Sequence, residues 1–162
     1  MARFYVEGDM VMFTSGEFHL VNMKLFDGRE YSNIEPKRLF PISGLTKYIS
    51  LLDEKSNEIA IIRDIDTLMP ESKKVIENSL NEYYLIPKIV SVIDRYEKYG
   101  ILKWTVETDR GVHTFEIKNR GSDIKALFDG RILIRDSDDN RYEIPNLNEL
   151  DKKSRKLLSM DL

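Results

Sequence analysis

The chain has 162 residues, of which 41% are hydrophobic and 33% charged, and 25 basic against 28 acidic side chains give a net charge of −3. This describes one soluble globular domain, large enough to bury roughly two-thirds of its unfolded surface, and the charge balance argues against nucleic acid as a partner. Cysteine is absent, which excludes disulfides, thiolate metal sites and cysteine catalysis; imidazole chemistry is left to His19 and His113, 94 positions apart.

After Met1-Ala2-Arg3, Glu7 and Asp9 arrive before any apolar stretch, so no secretory signal is expected. The longest apolar run is Ile59-Ala60-Ile61-Ile62, far below the ~20 residues of a membrane span. A cytoplasmic location without direct membrane insertion is the expectation.

Period-two alternation predicts strands at Met10–Phe13, Phe18–Phe26, Tyr48–Leu52, Glu58–Ile62, Leu102–Thr108, His113–Lys118, Arg131–Arg135 and Arg141–Ile144. Turn residues separate them: Ser15-Gly16, Asp27-Gly28, Asp109-Arg110-Gly111, Asp129-Gly130 and Asp138-Asp139-Asn140. Helical spacing replaces alternation from Pro70 to about Leu85, through Val75, Ile76, Leu80, Tyr83 and Tyr84, and again from Leu147 to Leu158. The predicted class is α+β, mostly antiparallel hairpins with two amphipathic helices, a partly closed barrel being one arrangement of the sheet. Residues 1–34 read as an N-terminal hairpin extension and 35–162 as the main domain.

An internal repeat is expected as well. Asn57 to Ile61 precedes Asn140 to Ile144 by 83 positions, and the helices register at 82, pairing Asp64 with Asn146, Ile65 with Leu147, Leu68 with Leu150, Ser72 with Ser154 and Ile76 with Leu158. Asp53 and Asp136 each stand four positions before their asparagine. The predicted half-modules are about 46–85 and 128–160. Asp64 and Asn146 are taken as the helix N-caps, with Glu149 as a capping-box partner.

Few residues look chemical. Asp136-Ser137-Asp138-Asp139-Asn140 suggests a calcium loop, but Arg141 stands where glycine belongs and Leu147 where glutamate belongs, so a solvated turn is expected. The turn Thr108-Asp109-Arg110-Gly111, followed by His113, is the densest polar cluster. Asp109 orienting His113 as a general base, with Arg110 holding an anion, would be one use of it. A tight hairpin with Gly111 in the left-handed region is the plainer one. Trp104 reads as a core anchor, Lys152 to Lys156 as a solvated basic face, and His19 as an unremarkable strand residue.

Several stretches taken in order carry a resemblance: Glu35 to Ser43, Ile49 to Asp53, Tyr83 to Ile89, Trp104-Thr105-Val106-Glu107-Thr108-Asp109-Arg110-Gly111, Arg131 to Asp136, and Asn140 to Pro145. Together they resemble the bacterial domain-of-unknown-function 1854 family over roughly 35–158, the tryptophan-led stretch being the most specific. Some members are labelled as associated with cyanophycin metabolism, near an ABC-type transporter. The resemblance implies no mechanism, cofactor or metal, and brings no functional residues. It implies a non-catalytic accessory or regulatory domain whose partner is a transporter or its ATPase subunit. The alternative is a binder or enzyme of aspartate/arginine-derived compounds using Asp109, Arg110 and His113. An exposed sheet edge would permit a homodimer.

Overall fold

A computed structural model describes residues 3–162, side chains included except those of Tyr83 and Tyr84. Twelve strands and three α-helices follow one another: β1 (Tyr5–Val6), β2 (Val11–Ser15), β3 (Val21–Leu25), β4 (Glu30–Arg38), β5 (Lys47–Leu52), β6 (Glu58–Asp64), α1 (Pro70–Leu85), β7 (Ile89–Lys98), β8 (Ile101–Thr108), β9 (Gly111–Ile117), α2 (Arg120–Asp123), β10 (Ile124–Ala126), β11 (Ile132–Arg135), β12 (Arg141–Ile144) and α3 (Lys152–Leu158). The class is α+β, and all strand pairs are antiparallel except β1 with β6 and a single bridge, Lys88 with Glu143. The chain divides into two compact units, one ending at Leu85 and the other spanning Ile86–Leu162.

The first unit is one open six-stranded sheet in the order β1-β6-β5-β4-β3-β2, curled as a half-barrel with α1 against β2, β4 and β3. Strands of residues 11–38 thus share a sheet with those of residues 47–64. Val11, Phe13, Met23, Ile34, Ile49 and Ile62 fill its concave side together with Ile76 and Leu80 of α1. The second unit has two three-stranded sheets, β7-β8-β9 and β10-β11-β12, whose inward residues, Trp104, Phe115, Ile134 and Ile144 among them, share a core with Leu158 of α3.

Helices α1 and α3 each carry a buried serine that bonds a strand amide. Ser72 Oγ accepts the Phe13 amide at 3.0 Å, and Ser154 Oγ accepts the Val92 amide at 2.7 Å. Both amides belong to strands at a sheet end, β2 and β7, where no neighbouring strand is present on one side. One turn further along each helix, Ile76 and Leu158 are fully buried, because positions four apart lie on one helix face.

Other positions paired in the sequence also make like bonds. Asp53 Oδ1 accepts the amides of Lys55 and Asn57, both at 2.9 Å, and Asp136 Oδ1 those of Asp138 and Asn140 at 2.9 and 2.8 Å. Ser56 and Asp139 both have φ of 65°. Asp64 and Asn146 each accept the amide two residues on. Here the expected capping differs from the structure. Asp64 and Asn146 cap short 3-10 turns, Ile65–Thr67 and Leu147–Glu149, and not the α-helices. Leu68 and Leu150 leave those turns extended, so the second expected helix, α3, starts only at Lys152, capped by Asp151, whose carboxylate accepts the Ser154 amide and hydroxyl, and the short α2 lies between the two expected ones. Those two bonds hold the Asp151 carboxyl below the usual carboxylate range.

Asp161 ties the end of α3 to the β7-β8-β9 sheet. Its carboxylate, with no exposed surface, takes two bonds from Arg95 at 2.7 Å, one from the Trp104 indole at 3.1 Å, and an ion pair from Arg120 at 3.4 Å. Arg95 and Arg120 meet again at Glu97 and hold its carboxyl low, while Asp161 first and Glu97 after it hold the Arg95 guanidinium high.

Two stability outcomes follow. Ser72→Ala and Ser154→Ala each leave a strand amide without its acceptor and lower unfolding free energy by about 1–3 kcal/mol in denaturant titrations. Asp161→Ala takes two bonds from Arg95, which keeps Glu97, and the acceptor from the Trp104 indole, and costs about 2–3 kcal/mol on the same measurement.

Candidate functional site

The β8–β9 hairpin carries the polar turn singled out in the sequence. Thr108 and Gly111 are paired across it, and Gly111 has φ of 102° with nothing within 4 Å of where a Cβ would stand. The backbone dihedral, and not crowding, therefore requires glycine. The Thr108 hydroxyl donates to the Gly111 carbonyl at 2.7 Å and accepts the Arg110 amide at 3.0 Å. Asp109 reaches to the chain just before β7: its amide donates to the Lys88 carbonyl at 3.0 Å, and its Oδ1 accepts the Lys88 amide at 2.9 Å. The carboxylate thus closes backbone. Asp109, Arg110 and Gly111 are exposed, while Thr108 is buried.

His113 belongs to a different arrangement. Opposite Val106 in the β8–β9 register, it lies on the same face of β9 as the buried Phe115 and Ile117. Its ring stands 5.8 Å from that of Tyr142, edge-on, and Phe115 stacks on Tyr142 at 4.2 Å. His113 Nε2 is buried without a hydrogen-bond partner among the described residues. Asp109 turns to Lys88 and His113 to Tyr142, so the hairpin holds two separate arrangements.

Tyr142 joins the histidine to the aspartate-rich turn. Its hydroxyl donates to Asp136 Oδ2 at 3.2 Å, the oxygen that also receives the Asn140 side-chain amide at 3.2 Å. With two backbone amides on Oδ1, Asp136 accepts four hydrogen bonds, all from its own hairpin. Burial, and then the Asp136 charge, push the Tyr142 phenol up to about 12. No group of three or more His, Asp or Glu side chains among the described residues is placed to hold a metal.

Two polar clusters escaped the sequence reading. Glu143, 2% exposed, pairs with Lys88 Nζ at 2.7 Å and Arg131 at 3.7 Å, while Arg131 also bonds Asp129 at 2.9 Å. The signal was a glutamate between Tyr142 and Ile144 on a strand whose last three residues are all buried. In the first unit, His19 Nε2 meets Glu35 at 2.5 Å, with both side chains largely buried. His19 is not on a strand as expected. It sits in the turn before β3, because Phe18 adopts φ of 54° and pairing resumes only at Val21. The Ser79 hydroxyl donates to the His19 carbonyl and not to its ring, so the three residues form a packing contact and no catalytic relay.

No helix among the described residues is long and apolar enough to cross a membrane. The comparisons add one positive finding: the profile of a domain of unknown function, DUF1854, matches residues 31–160, and the chain belongs to that family. No curated protein and no solved structure matches.

The Tyr142 phenol gives a pH outcome. Its folded pKa lies above the ordinary value of 10.0, so the stability it brings is complete below pH 10 and is lost as pH rises through about 12. Phenolate absorbance during alkaline titration locates this step, and Tyr142→Phe removes it.

Proposed function

We propose that this member of the DUF1854 family is a non-catalytic accessory or regulatory domain that acts in the cytoplasm with an ABC-type transporter, docking on the transporter or its ATPase subunit. The observation that carries the non-catalytic reading is the bonding of the turn. The Thr108 hydroxyl closes the turn and the Asp109 carboxylate closes the Lys88 backbone, so Asp109 does not orient His113 as the general base that chemistry there would need. What remains for a partner is the rigid, exposed tip at Asp109 to Gly111. The family resemblance supports the transporter.

The like bonds at Asp53 and Asp136, Asp64 and Asn146, and Ser72 and Ser154 support reading about 46–85 and 128–160 as copies of one hairpin-plus-helix module. The copies would have diverged in helix length, sixteen residues against seven. A second functional reading, a binder or enzyme of aspartate/arginine-derived compounds, rests on His113 Nε2, a buried ring nitrogen with no hydrogen-bond partner among the described residues. Thermal stabilisation by millimolar arginine, aspartate or their dipeptides would favour it.

Crosslinking in cells, followed by purification of the tagged full chain and mass spectrometry, tests the accessory reading. A transporter or ATPase subunit is expected, with recovery reduced by Arg110→Glu, which changes charge at the tip. Abundant folded bait that brings neither overturns it.

A further inference from the structure

We propose that the loop between β4 and β5 is an interfacial anchor that seats the chain on an anionic bilayer surface. This goes beyond the accessory reading and stands on different residues. The loop exposes Ile42 by 94%, Leu45 by 53% and Phe40 by 50%, and Tyr48 at its far end by 39%. Single exposed apolar residues are ordinary; three on one short loop, with Tyr48 at the start of β5 beside them, form a patch that asks for cover.

The loop is built to hold them outward. The Gly44 amide donates to the Phe40 carbonyl at 2.9 Å, the Leu39 amide to the Tyr48 carbonyl at 3.1 Å, and Arg38 Nε to the Leu45 carbonyl at 3.1 Å. The rings of Phe40 and Tyr48 meet edge-on at 5.9 Å, and a Cβ on Gly44 would stand 3.0 Å from that of Phe40. Tyr48 takes φ of 58°, a costly conformation for an aromatic residue. These bonds fix the course of the loop backbone that carries the exposed side chains.

Charge selects the occupant. From Pro36 to Leu52 the chain carries Lys37, Arg38 and Lys47 and no acidic residue, although its net charge is −3. On the neighbouring strands Glu35 pairs with His19, Glu58 accepts the Ser50 hydroxyl, and Asp64, opposite Lys47, accepts the Asp66 amide. An apolar tip with aromatic rings behind it and a cationic collar matches the layers of a bilayer boundary, acyl chains below and anionic headgroups above. A protein cleft would need a matching shape; a bilayer needs only this order of layers. The expectation of no membrane insertion came from run length. Phe40, Ile42, Leu45 and Tyr48 are separated in sequence, and only the loop gathers them.

Sedimentation of the full chain with phosphatidylglycerol–phosphatidylethanolamine vesicles at low salt tests this, with phosphatidylcholine vesicles alongside. Binding to the anionic vesicles is expected, falling about tenfold or more with Ile42→Asp and with Lys37→Glu combined with Lys47→Glu. Ile42→Asp should leave the thermal midpoint unchanged, since that side chain touches little. No anionic binding, equal binding to neutral vesicles, or undiminished binding of Ile42→Asp overturns the proposal. Binding only to native membranes, and lost when they are first treated with protease, also overturns it, in favour of a protein partner.

Discussion

An amide on the last strand of a sheet has no neighbouring strand to accept it, and it must find another acceptor or face water. Each unit answers this with one hydroxyl carried by a helix: Ser72 for Phe13 of β2 and Ser154 for Val92 of β7. Such a bond fixes more than a donor. It sets how far along the strand the helix lies and how it is rotated, and Ile76 and Leu158 then fall into the cores. A serine in a helix is only a moderate helix former, so these positions are better understood as strand acceptors placed on helices. The edge they cover is also withdrawn from pairing with another chain.

Much of the fold was legible because hairpins declare themselves locally. Eight strands and the first helix fell near their predicted places, since alternation and turn residues act over a few positions. What was missed has physical causes. β4 is polar through Glu30 to Asn33 and holds Pro36, which cannot donate to a ladder, so it does not look like an inner strand. β7 shifts register twice, between Ile89 and Ser91 and between Val92 and Asp94, which breaks the alternation that would reveal it. The second helix began late because a 3-10 turn and an extended Leu150 precede it, and both satisfy the same apolar spacing.

The candidate site was legible as a turn and no further. Gly111 and Thr108 take the roles that turn chemistry gives them, but the partner of Asp109 is the Lys88 backbone, 21 positions away, which no local pattern encodes. Glu143 went unremarked, and His19 was read as an ordinary strand residue, for the opposite reason. A charged residue within a strand and a lone histidine are ordinary in sequence, and only burial beside Lys88 or Glu35 distinguishes them. The apolar loop was quoted for its resemblance, yet exposure of Ile42 is a property of the folded backbone alone.

The hairpin turns themselves bear on how the chain acquires its structure. Leu25 to Arg29 and Leu127 to Arg131 are the same pentapeptide, Leu-Phe-Asp-Gly-Arg, and close the same way, each aspartate holding its arginine amide and guanidinium and each glycine near φ of 95°. Turns of this kind form in microseconds from contacts a few residues apart. The serine bonds close loops of 59 and 62 positions, and that closure carries an entropic cost the turns do not meet. Closure cost within each unit therefore favours the hairpins ahead of the helix–strand bonds.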